Sequence, residues 1–80
     1  MKLRFYGRLA ELIGSEIDVE QPARCTIAEL RQRLIDEHHH ARDVLSNRRV
    51  RACVRDALVG DDHVIAEYET VEFLPPVSGG

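Results

Sequence analysis

The residues best placed to do chemistry are the last two, Gly79 and Gly80. Neither carries a Cβ, so the backbone can thread a narrow channel and the terminal carbonyl carbon stays open to a nucleophile. A free carboxylate is a poor acyl donor. A separate enzyme can make it a good one by using ATP to form an acyl-adenylate, from which a thiol or persulfide displaces AMP. The chain would then act as a co-substrate. Pro75 and Pro76 stiffen the start of this segment. Residues 75–80, at roughly 3.3 Å each, carry the terminus about 20 Å from the last strand. By themselves the two glycines are equally the loose end that many domains possess.

No second site competes with the terminus. The sequence has no Gly-rich phosphate loop, no nucleophile elbow and no HExxH pair. Asp61-Asp62-His63 could form half a metal site but reads better as an exposed turn. His38, His39 and His40 fall where a helix should end. Consecutive helical side chains point about 100° apart, so these three do not converge on one ion, and a solvated helix end favoured by the dipole is the simpler reading. Cys25 and Cys53 are too far apart in sequence for a CxxC motif or a zinc knuckle, and two cysteines cannot hold a cluster that needs four. They read as small, reduced, buried hydrophobes. No metal site and no bound cofactor is expected.

Composition narrows the partners. A chain of 80 residues buries only roughly 60 to 65% of its unfolded surface, which leaves little room for an enclosed active site. With 44% hydrophobic and 31% charged residues it should nonetheless fold. The net charge of −3 includes no basic block, so nucleic acid is not an expected partner. No apolar run approaches the roughly 20 residues of a membrane helix, and Leu3 to Arg8 is too charged for the core of a signal peptide. A cytoplasmic protein is expected.

The elements that must position the terminus follow from periodicity. Lys2 to Tyr6 alternates as a strand, with Leu3 and Phe5 on one face and Tyr6 on the other. Arg8 to Ile13 has helical spacing and stops at Gly14; Glu16 to Glu20 is a second strand. Thr26-Ile27-Ala28-Glu29 is a capping box, and Ile27, Leu30, Leu34 and Ile35 form the single apolar stripe of the helix it opens, with Arg31, Gln32, Arg33 and Asp36 elsewhere. Cys25 is placed to pack on Leu30. Ala41, Val44 and Leu45 can add another helical turn. Val50, Ala52 and Val54 alternate with Arg51, Cys53 and Arg55, Arg55-Asp56 turns the chain into Ala57-Leu58-Val59, and Thr70 to Leu74 is the last strand, ended by the two prolines. Two strands, one main helix and a further hairpin-rich set suit an α+β fold of the β-grasp, or ubiquitin-like, kind: a mixed sheet packed on one helix. The domain spans residues 1–74, and residues 75–80 form an extended, flexible tail.

Phe73-Leu74-Pro75-Pro76-Val77-Ser78-Gly79-Gly80 closely resembles the C-terminal signature of the small subunit of molybdopterin synthase, the MoaD family of ubiquitin-like sulfur carriers. The likeness continues through Phe5-Tyr6-Gly7, Glu11-Leu12-Ile13-Gly14, the helix from Thr26 to Leu34, Ala52-Cys53-Val54 and Asp62-His63. The resemblance implies that a ubiquitin-activating-like adenylyltransferase uses ATP to adenylate Gly80. A sulfur donor protein then supplies the sulfur of a thiocarboxylate. The tail would enter the large synthase subunit and give its sulfur to cyclic pyranopterin monophosphate, forming the molybdopterin dithiolene. Catalytic side chains would belong to the large subunit, in a heterotetramer.

Alternation offers a docking surface as well. Tyr6 and Leu74 fall opposite the core-facing Phe5 and Phe73, and Leu58 is a candidate third member. These match the positions at which the family makes hydrophobic contacts with its partners, and Pro75, Pro76, Val77 and Ser78 match the segment the partners grip. The chain departs from the family pattern at Ala10, where Arg is usual, and at Glu67-Tyr68-Glu69-Thr70, where Asp-Gly is usual. Lys2 is the only lysine, which suits an acyl-activated protein, because arginine stays protonated and does not attack. Two other fates share this chemistry: a ubiquitin-like modifier conjugated through Gly80, and a sulfur carrier for thiamine or another pathway.

Overall fold

A computed structural model describes residues 1–20, 24–66 and 68–76. In chain order the elements are β1 (Lys2–Phe5), α1 (Arg8–Ile13), β2 (Glu16–Asp18), β3 (Cys25–Thr26) and α2 (Ile27–Glu37). A 3₁₀ turn (His39–Ala41) leads into α3 (Arg42–Leu45), followed by β4 (Arg51–Val54), β5 (Ala57–Val59), β6 (Val64–Ile65) and β7 (Val71–Leu74). The main sheet has the order β2-β1-β7-β4-β5, and β3 pairs with β6 separately. β1 and β7 run parallel while the other neighbours are antiparallel, so the sheet is mixed. This is the β-grasp arrangement expected from the pattern of elements.

Register builds the core. Leu3 lies beside Val71 and Phe5 beside Phe73, while Ala52 and Val54 of β4 sit opposite Phe73 and Val71. Because side chains alternate across a strand, all six project from one face, and all are buried. The Phe5 and Phe73 rings stack with centroids 5.7 Å apart. Ile27, Leu30 and Leu34, one stripe of α2, are buried in the same cluster.

The start of α2 is closed by four acceptors. Thr26 Oγ1 accepts from the Glu29 amide while the Glu29 carboxylate accepts from the Thr26 amide, which completes the capping box. The Ile27 and Ala28 amides, otherwise orphans of the first turn, donate to the carbonyls of His63 and Asp61 at 3.0 and 2.9 Å. The Asp61–His63 segment is therefore more than an exposed turn. Asp61 and Asp62 are exposed, but His63 is half-buried, and its Nε2 has no hydrogen-bond partner among the described residues.

Other details depart from the periodic reading. β1 and β2 end earlier than expected, although Val19 still exchanges hydrogen bonds with Met1. β3 and β6 leave no signal in the sequence, since two-residue strands carry no period. Arg31, off the apolar stripe, is nonetheless largely buried: its side chain is 11% exposed, lies 5.5 Å over the Phe73 ring, and donates to Leu45 O, Val50 O and Asp61 Oδ1. The helix end does carry exposed His39 and His40, and His40 Nε2 lies 2.7 Å from Leu12 O, tying the 3₁₀ turn to α1. Arg55 and Asp56 both have positive φ, 52° and 64°, as a two-residue hairpin turn of the twist-matched kind requires.

Candidate functional site

The site is the place where the chain leaves the sheet. Leu74, half-buried, is the last residue of β7 and pairs with Arg51 at the start of β4. On the other side β1 runs parallel, and it ends one residue before Tyr6. Because β7 is flanked by strands on both sides, the direction in which the chain departs is set by the core of the sheet. Pro75 and Pro76 follow, both exposed. Pro75 lies over Gly7, whose φ of 62° is in the range that favours glycine, and a Cβ placed on Gly7 would sit 3.1 Å from Pro75 Cβ. Val77, Ser78, Gly79 and Gly80 lie outside the described residues, as does Glu67.

The expected docking residues occupy the face of the sheet away from α2. Tyr6 is 41% exposed and Leu58 55%. Phe5 pairs with Phe73, so Tyr6 falls level with Leu74. Leu58 belongs to the adjacent row: it sits opposite Cys53, which in turn faces Glu72, and Glu72 lies beside Arg4. Leu58 therefore stands two strands from Leu74, with Cys53 between. Cys53 is 8% exposed although it projects to this outer face. The three named residues line one face rather than touching as a single patch, with charged Arg4 and Glu72 set among them.

The Tyr6 hydroxyl donates to Glu72 Oε2 at 2.5 Å. That hydrogen bond pushes the phenol pKa above its ordinary 10.0, with desolvation and the Glu72 charge adding to the effect and Arg4 opposing it. The phenol is thus held neutral, as a donor fixed in one direction. Ala10 is half-buried and packs against the core, so the position at which the family usually has Arg contributes here to the underside of α1.

Gly7, Arg31 and Arg51 were not singled out by sequence reasoning as parts of the site. The positive φ of Gly7 and its approach to Pro75 leave no trace beyond the glycine itself, and the importance of Arg51 comes from a cross-strand register.

Among the described residues no three His, Cys, Asp or Glu side chains are grouped to hold a metal, and no helix is long and apolar enough to cross a membrane. The arrangement is the end of a central strand, where the chain leaves the sheet beside a mixed apolar and charged face.

The ThiS family profile matches residues 3–80. The chain belongs to the ThiS family. It is thereby one of the ubiquitin-like sulfur carriers of the MoaD and ThiS kind. This ThiS-family chain is 29% identical over 80 residues to the molybdopterin synthase sulfur carrier subunit of Escherichia coli (strain K12), covering 100% of this chain and 99% of that protein. Among solved structures it is similar to a putative molybdopterin converting factor, subunit 1, from Pyrococcus furiosus, with TM-score 0.79, 20% identity and 95% of each chain covered. It is likewise similar to small archaeal modifier protein 1 of Haloferax volcanii, with TM-score 0.80, 17% identity and 95% of each chain covered. At those identities the structural matches speak to the fold.

Proposed function

We propose that this chain is the sulfur carrier subunit of a molybdopterin synthase, working in the cytoplasm through the carboxyl group of Gly80. The observation that carries the reading is the end-to-end match to a curated sulfur carrier subunit of that enzyme, together with a family match that runs through residue 80.

An adenylyltransferase of the ubiquitin-activating kind joins the Gly80 carboxylate to the AMP of ATP and releases pyrophosphate. A sulfur donor protein bearing a persulfide displaces AMP to form an acyl disulfide, and a second thiol then cleaves its S–S bond, releasing the thiocarboxylate and leaving a disulfide on the donor side. The loaded end then enters the large subunit and transfers sulfur to cyclic pyranopterin monophosphate on the way to the dithiolene. The chain's own part is presentation. The buried Phe5, Phe73 and Val71 hold the strand from which the tail departs, and the tail lets the acyl carbon reach a partner's active site.

The test reconstitutes this sequence with the host's adenylyltransferase, sulfur donor and large subunit. Intact-mass analysis should show one oxygen replaced by sulfur, dependent on ATP, and pterin dithiolene should follow. A Gly80 deletion should abolish loading and leave the thermal melt unchanged, because among the described residues the buried core lies entirely before Pro75. The likeness to an archaeal modifier gives a second reading, conjugation of Gly80 to lysine amines. It predicts higher-mass conjugates in host extracts in place of the oxygen-to-sulfur change.

A further inference from the structure

Six of the eleven basic side chains are matched by a carboxylate within the chain itself. Lys2, Arg4, Arg8, Arg31, Arg33 and Arg55 each have a carboxylate oxygen within 3.0 to 3.9 Å. Arg24, Arg42, Arg48 and Arg51 have none among the described residues and all four are exposed, but Arg48 and Arg51 stand together. They line one surface hollow with Arg31, Val59, Gly60, Asp61 and Asp62. Within it Asp61 is already bound to Arg31 at 3.1 Å, which leaves two uncommitted guanidinium groups against the single carboxylate of Asp62. In a protein of net charge −3 this is a local reversal of sign. Its position is specific, because Arg51 is the cross-strand partner of Leu74, the last strand residue before the tail.

We propose that Arg48 and Arg51 form a basic docking contact at the root of the tail, which engages carboxylates rimming the channel through which the adenylyltransferase takes the tail in. The inference rests on the tail-delivery reading above. Chain geometry selects the partner's chemistry. Residues 75–80 span about 20 Å when extended, so when Gly80 lies at the reacting centre, Arg51 stays at the channel mouth, out of reach of the acyl phosphate. A phosphate of the reacting nucleotide is therefore excluded as its ligand, and a protein rim is what remains at that distance. Guanidinium forks suit carboxylates, with two parallel N–H donors meeting two oxygens. Exposed charges at an interface rim act chiefly on encounter and orientation, so the contact aligns the tail with the channel before the apolar face settles.

The experiment measures ATP–pyrophosphate exchange by the host adenylyltransferase as the concentration of the carrier is varied, at low and high salt. It compares the wild-type chain, an Arg48→Glu/Arg51→Glu variant and an Arg48→Lys/Arg51→Lys variant. The glutamate variant should raise KM at low salt by roughly tenfold or more with kcat nearly unchanged, and high salt should narrow the gap. The lysine variant should restore most of the loss. Thermal melts should agree across all three, since both side chains are exposed. Exchange with the wild-type chain but an unchanged KM in the glutamate variant would overturn the docking contact alone. No exchange with the wild-type chain would overturn the tail-delivery reading and this inference together.

Discussion

Gly7 and Pro75 are in contact across the exit of the tail: a Cβ on Gly7 would come within 3.1 Å of Pro75 Cβ and 3.4 Å of its Cγ. Such a distance is closer than a real Cβ tolerates without movement, and Gly7 also sits at φ 62°, where a side chain is strained. The first glycine of the chain is thus a bearing surface for the root of the last segment. Gly7→Ala should cost about 1–3 kcal/mol in urea unfolding from the backbone conformation alone. It should also displace Pro75 and lower the rate of adenylation beyond what the stability loss explains. In a Pro75→Gly background, where the clash has no partner, only the stability loss should remain; an equal loss of rate in both backgrounds would place the effect elsewhere.

Arg31 makes a comparable link inside the domain. Its guanidinium bridges α2 to the carbonyls of Leu45 and Val50 and lies over Phe73, so one cation joins the helix, the segment after α3 and the central strand. Arg31→Ala should destabilise the chain by about 2–4 kcal/mol, because two partly buried carbonyls lose their donor along with the packing of the side-chain stem. Chemical denaturation measures this directly. Arg31→Lys should recover only part, since one ammonium cannot match a planar fork spread across three acceptors.

These two residues mark the boundary of what the sequence displays. The alternating Leu3 and Phe5, the Val71 and Phe73 pair and the capping box at Thr26 each announce themselves through local period or spacing, and the fold follows from them. The β3–β6 pair is different, because two residues form no period and the strands are joined by register alone. The partners of Arg31 are hidden for a related reason. Off the apolar stripe, its spacing gives no sign of burial, and only the three-dimensional return of the Leu45 and Val50 carbonyls reveals its partners. At the candidate site the face of Tyr6 and Leu74 was legible from alternation, whereas the row in which Leu58 stands depends on the β4–β5 register. The terminal Gly79-Gly80 was the clearest chemical signal in the chain, and its meaning comes from the company of the preceding residues.

The Tyr6–Glu72 hydrogen bond makes a spectroscopic prediction. With Glu72 accepting its proton, the phenol resists ionisation, and its pKa lies above the ordinary 10.0. A group whose pKa is raised on folding adds stability that is complete below the unfolded-state value and is lost as pH climbs through the folded-state value. The contribution is therefore intact at neutral pH and disappears only above pH 10.0. Phenolate absorbance followed in a Tyr68→Phe background should show Tyr6 titrating late, and Glu72→Gln should bring it back toward 10.0. A titration unmoved by Glu72→Gln would show that the carboxylate is not the cause.

Leu58 separates docking from folding. More than half exposed on β5, it contributes little to the core, so Leu58→Thr, which keeps a strand-favouring branched side chain, should change stability by less than about 0.5 kcal/mol. If the outer sheet face is the surface that meets a partner, the same change should weaken binding to the large subunit by roughly tenfold, the scale expected when an apolar anchor leaves an interface. Calorimetric titration of the two proteins gives that number, and urea unfolding gives the other. Loss of affinity with an unchanged midpoint assigns Leu58 to the interface. Unchanged affinity would confine docking to Tyr6, Leu74 and the tail, one row further along the sheet.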